Sequence, residues 1–141
     1  MTPSQIALVE ASLDQLDLDA LAATFYERAF AAEPTLAEMF RSDPAGQRTR
    51  FATELREIIR SIRSIDAFGP AVRALGARHR GYGVHAVHYR IMGGALLGAL
   101  AAEMGDRWTT EAEEAWTLAY NLIAEMMMTG ALEDQFSGDG G

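Results

Sequence analysis

The chain has 141 residues, 49% of them hydrophobic, no cysteine and a formal net charge of −8. That length and apolar content suffice for one domain with a real core, and the low proline with abundant Ala, Leu and Met favours helix over sheet. Lack of cysteine excludes disulfides, thiolate metal sites and thiol redox chemistry, and the acidic balance excludes nucleic acid and anionic membranes, which bind basic surface.

Thr2-Pro-Ser-Gln5 is a capping-box pattern with Pro at the first helical position, so a helix starts there with Ile6, Val9, Leu13 and Leu16 inward. Asp17 to Asp19 mark a break. A second helix follows, with Leu21, Ala22, Phe25, Tyr26, Ala29 and Phe30 on one face. Pro34 fits the first turn of a short helix ending near Phe40, and Arg41 to Gly46, rich in turn formers, reads as a loop. A long helix then runs from about Gln47 to Ile65, its stripe being Phe51, Leu55, Ile58, Ile59 and Ile62. Asp66 is placed to cap the next helix, which ends in Gly81-Tyr82-Gly83. Residues of about 86 to 104 form the most apolar helix, stopped by Gly105-Asp106. Thr109 or Thr110 caps a last amphipathic helix reaching about Leu132. The expected division is one domain over 1–136 and a flexible tail over 137–141, with no repeat or linker. The amino terminus lacks a basic segment followed by an apolar run, and the stretch Ile91 to Ala102 is too short to span a bilayer. A cytoplasmic, membrane-free protein is therefore expected.

Three polar side chains break these apolar patterns. His79 continues the stripe of Val72 and Leu75, which aims an imidazole at the interior. A lone histidine on such a face is ordinarily a hydrogen-bonded core residue. Tyr26 lies on the buried face of the second helix, where its bland role is a phenol reaching a carbonyl or solvent. Gln47, near a loop, would alone be read as a solvated surface residue. The run Met126-Met127-Met128 reads as adaptable core packing, and His85 and His88 as exposed residues at a helix start.

Seven or so helices with no strand pattern specify an all-α domain. The chain then resembles the globin family, in its bacterial single-domain and flavohaemoglobin-type branch. The segments carrying the resemblance are Thr24 to Phe30 with Pro34 after it, Phe40, Gln47, Leu75-Gly-Ala-Arg-His-Arg-Gly-Tyr-Gly-Val84, His88 to Leu97, and Glu114-Ala-Trp-Thr-Leu-Ala-Tyr120. They follow the family order, and the step from Gln47 to His79 (79 − 47 = 32 residues) matches the family's spacing.

The resemblance implies a globin fold around a haem b pocket with His79 as the iron ligand. Its Nε2 would meet the metal and Nδ1–H a carbonyl of its own helix. Tyr26 and Gln47 would face the gas-binding side as hydrogen-bond donors, and they are the residues on which any catalysis would rest. Phe40 would wedge against the haem face and Phe51 line the distal pocket. Phe25, Leu75, Val84, Met92 and Leu96 would be apolar contacts, and Arg78 or a nearby histidine would reach a propionate. Gly76, one turn before His79, would let a flat macrocycle approach the backbone. In flavohaemoglobin-like members Tyr89 and a glutamate on the last helix bond the proximal histidine. Here that glutamate's position, eleven after Tyr120, is Ala131, which implies a weaker electronic push.

The function implied is reversible binding of O2, NO and CO, and any nitric oxide dioxygenation is expected to draw its electrons from a separate reductase. The alternatives are a haem-based gas sensor acting through a separate partner, and a haem-free globin-like interaction module, which would lose His79 or fill its pocket.

Overall fold

The computed structural model describes residues 1–39, 43–81 and 86–139. Helix α1 spans Pro3–Gln15. Thr2 caps it with a reciprocal pair: its Oγ1 accepts from Gln5 N–H at 3.1 Å while its own N–H donates to Gln5 Oε1 at 2.8 Å. Asp17 caps α2 (Leu18–Ala32) by accepting from the N–H groups of Asp19 and Ala20. Its buried face carries Leu18, Leu21, Ala22, Phe25, Tyr26 and Ala29, close to the periodicity read from the sequence. A short α3 (Leu36–Met39) starts two residues after Pro34, which sits outside it.

The next helix, α4, spans Pro44–Ser61 and corrects the expected loop. Pro44, Ala45 and Gly46 are its first turn, because Asp43 supplies an N-cap: its Oδ1 accepts from Gly46 N–H at 3.1 Å. A proline at the first helical position gives up no hydrogen bond that the helix would use. The same turn formers that suggest a loop therefore build a helix start. Gln47 enters already helical, its N–H donating to the carbonyl of Asp43 at 3.0 Å.

Helix α5 spans Ile65–Gly81, so Asp66 falls inside its first turn and is not its cap. The chain turns at Ser64, whose carbonyl accepts from Phe68 N–H at 2.8 Å. Helix α6 (Ala86–Met104) ends at a 3₁₀ turn, Gly105–Arg107, where Gly105 takes φ +56°, a left-handed value suited to glycine. Thr109 caps α7 by accepting from Ala112 N–H. Helix α7 runs Thr110–Asp139, past the expected end near Leu132 and into residues expected to form a tail.

The described residues hold seven α-helices and no strand. The most extensive helix contact is between α5 and α7, followed by α2 with α6. Two glycines permit the first. A Cβ on Gly76 would lie 1.9 Å from the Met127 carbonyl oxygen, and one on Gly130 would lie 2.1 Å from the Arg73 carbonyl oxygen. These backbones touch directly, each glycine facing the other helix. Gly76 is thus explained by packing against α7 rather than by the approach of a macrocycle.

The core divides in two. One cluster gathers residues of α1, α2, α3, α4, α6 and α7 around Leu21, Ile59, Leu100 and Trp116. A second joins Ile58 and Ile62 of α4, Phe68, Val72 and Leu75 of α5, Tyr89 of α6, and Ala124 and Met127 of α7. The seam between these clusters is the site.

Candidate functional site

A partly open crevice lies along that seam. Five helices wall it. From α4 come Gln47, Phe51, Glu54, Leu55 and Ile58, whose spacing marks one helical face. Helix α2 gives Phe25 and Tyr26, α5 gives Leu75 and His79, and α6 gives Tyr89, Met92 and Leu96. The far wall is α7, with Trp116, Tyr120, Ile123, Ala124 and Met127.

His79 reaches this wall because it sits four residues after Leu75 on the inner face of α5. Its Nδ1 lies 2.9 Å from the Leu75 carbonyl oxygen. A carbonyl only accepts, so that contact assigns the ring proton to Nδ1 and the lone pair to Nε2. Burial lowers the imidazole pKa, and the bond to Leu75 works in the other direction. The neutral ring is the favoured form.

Tyr26 is 9% exposed. Its hydroxyl accepts from Gln47 Nε2 at 3.2 Å, and burial raises its pKa while the Gln47 bond opposes the rise. The phenol stays protonated near neutrality. Around it, Phe25 and Phe51 stack with centroids 4.5 Å apart and planes 9° from parallel, and Tyr26 meets both rings edge-on. Phe51 is only partly buried because it forms the crevice wall instead of the closed core.

Of the residues singled out from the sequence, the crevice therefore gathers Tyr26, Gln47, Phe25, Phe51, Leu75, His79, Tyr89, Met92 and Leu96. Arg78 does not line it. Its guanidinium points to Glu54, with Nη2 3.5 Å from Oε1, and its side chain is half exposed. Phe40 and Val84 lie outside the described residues. Met127 is a crevice residue as well as core packing.

Several wall residues escaped the sequence reading. Glu54 lies seven residues after Gln47, a spacing that puts both on one face, but its charge suggests solvent. Trp116 enters the sequence reading only within the motif from Glu114 to Tyr120, and Ile123 and Ala124 only within a helix expected to be amphipathic. Trp116 is 1% exposed, and its indole Nε1 is buried with no hydrogen-bond partner among the described residues. Tyr120 donates its hydroxyl to the backbone carbonyl of Tyr89. Burial pushes the Tyr89 phenol up to about 12 and raises that of Tyr120 as well. Glu125, six residues before Ala131, is exposed on α7.

A family model described as Globin matches residues 23–127. The chain belongs to the globin family. This globin is 33% identical over 137 residues to a flavohemoprotein of Deinococcus radiodurans, a match covering 91% of this chain and 33% of that protein. It is also 33% identical over 104 residues to a flavohemoprotein of Bacillus subtilis, covering 72% of this chain and 26% of that one. The globin thus spans about a third or less of the flavohemoproteins it matches. Among solved structures, a hexacoordinated heme protein from an anhydrobiotic tardigrade superposes with a TM-score of 0.83 at 14% identity, covering 93% of this globin and 95% of that chain. At that identity the likeness speaks for the all-α globin fold alone. No helix among the described residues is long and apolar enough to cross a membrane.

Proposed function

We propose that this globin binds haem b in the crevice and reversibly holds diatomic gases, O2 foremost, with nitric oxide dioxygenation as its chemistry when a reductase supplies electrons. The observation that carries the reading is His79: a desolvated, neutral imidazole on the wall of an apolar crevice, its Nδ1 anchored on Leu75 and its lone pair on Nε2. When bound, the haem supplies an iron centre that takes a diatomic ligand and changes oxidation state.

The donor set suits that group. His79 is the one metal-ligating side chain that a globin haem needs from the protein, and the carbonyl behind it fixes tautomer and ring orientation. Among the described residues no cluster of three acidic, His or Cys side chains could hold a bare metal ion. Phe25, Phe51, Leu75, Met92 and Leu96 would pack on a flat apolar ring system and keep water out. Tyr26 and Gln47 would offer hydrogen bonds to a ligand that gains negative charge, which favours O2 over the less polar CO. An open seam between two core clusters supports this reading over a haem-free interaction module.

Haemin titration of the purified chain tests it. Parent protein should bind one equivalent with a Soret band, His79→Ala should lose that uptake, and His79→Gly should regain it with added imidazole. A His79→Ala protein with the parent's affinity and spectrum would sink the proposal.

A further inference from the structure

An amide side chain presents an oxygen and an NH2 group of nearly equal shape, so its neighbours decide which way it points. Gln47 has two such neighbours. On its outer side stands Arg50, one turn along α4, with Nη2 3.0 Å from Gln47 Oε1. A guanidinium carries donors and no acceptor. The atom facing it must therefore be the amide oxygen, and the NH2 group is turned inward to Tyr26, donating to Oη at 3.2 Å. Along that direction the phenol accepts, so its own proton points away from Gln47. Arg50 is held in turn by Asp43, the cap of α4, whose Oδ2 lies 3.7 Å from Nη1.

We infer that Arg50, which is not a lining residue of the crevice, is a positioning residue that sets the polarity of the Gln47–Tyr26 pair. It makes Gln47 the donor within the pair and commits the Tyr26 proton to a different direction, where a ligand can receive it. With the amide turned over, the Gln47 carbonyl would take the Tyr26 proton, and the pair would lose that donor to the crevice. The inference rests on the gas-ligand reading of the site.

The test uses the full chain loaded with haem, and reads the O2 dissociation rate and the C–O stretch of the carbonyl complex. Arg50→Lys keeps a donor-only head group and should stay near the parent. Arg50→Met keeps the stem without donors and should show an intermediate rate with a second C–O band from the turned amide. Arg50→Glu offers acceptors only, which turns the amide over, and should release O2 about fivefold faster, the kinetic equivalent of roughly one net hydrogen bond. Arg48→Glu makes the same charge change two residues away and should match the parent. With Gln47→Leu in place, the effect of Arg50→Glu should vanish. An Arg50→Glu protein that matches the parent, or moves only as far as Arg48→Glu, or keeps its effect without Gln47, overturns the inference.

The gas-ligand reading fails separately, if the parent takes up no haem or if Tyr26→Phe leaves the O2 rate unchanged. In that event the orientation is read directly from the side-chain amide signals of Gln47 in the ¹⁵N-labelled chain. Arg50→Glu must abolish the contact between the Gln47 NH2 protons and the Tyr26 ring; its survival counts against Arg50.

Discussion

Tyr120 on α7 donates its hydroxyl to the main-chain carbonyl of Tyr89 on α6, 31 residues earlier in the chain. The ring reaches that carbonyl because Gly93, one turn after Tyr89, leaves space: a Cβ there would lie 2.7 Å from Tyr120 Cε2. A helix carbonyl with a second lone pair is a natural acceptor for a buried phenol. The bond ties the two helices together beside the crevice. Tyr120→Phe should therefore lower stability by about 1 kcal/mol, the usual net value of one such bond. Urea unfolding should show a lower midpoint at unchanged slope, and an unaltered midpoint would show that the bond contributes nothing.

Alkaline pH should act on the same phenols. In an unfolded chain tyrosine loses its proton near pH 10 or so. Folded, Tyr89 is pushed up to about 12 by burial, and Tyr120 and Tyr26 are also raised by desolvation. Above roughly pH 10 the unfolded state thus sheds protons that the folded state retains, and proton linkage makes stability fall as pH rises. The contribution is complete below that pH and, for Tyr89, gone once pH passes its folded value. Urea midpoints measured from pH 8 upward should be flat and then decline, and Tyr89→Phe should soften the decline. Equal slopes in the two proteins would contradict the assignment.

Glycines on the helices should divide by what they face. Gly76→Ala and Gly130→Ala would each drive a methyl into backbone of the opposing helix, where no side chain can swing aside. Overpacking of this kind costs about 1–3 kcal/mol or more. Gly94 on α6 has nothing within 4 Å of a built Cβ and is exposed. Gly94→Ala should stabilise by about 0.5–1 kcal/mol through helix propensity alone. Thermal melts of the three variants should split in opposite directions; a destabilised Gly94→Ala would mean that this face of α6 is covered in solution.

For the distal pair, the expected effect is on ligand release. Tyr26→Phe removes a hydroxyl from the crevice wall while keeping the ring against Phe25 and Phe51. If the phenol donates to the ligand with roughly 1.4 kcal/mol, O2 should leave about tenfold faster, with CO release changing much less. Stopped-flow displacement of O2 by CO measures this directly, and equal effects on both gases would argue for a steric change instead.

Much of this globin was legible from residue spacing. The capping box at Thr2, the breaks at Asp17 and Gly105, and the burial of Phe25, Tyr26 and Leu75 follow from local periodicity and backbone chemistry, which act within a few residues. Placement of His79 beside Leu75 follows from the same stripe. Only the assembled helices decided the rest. Pro44 to Gly46 read as loop from their turn formers, whereas Asp43 caps them as the start of a helix. Gly76 reads from the sequence as room for a cofactor, whereas the backbone of α7 stands against it. Glu54 and Trp116 became crevice residues, and Arg50 became the partner of Gln47, through contacts that depend on helix placement and rotamer choice. Spacing along one helix says which side a residue faces. What stands opposite is settled by how separate helices pack.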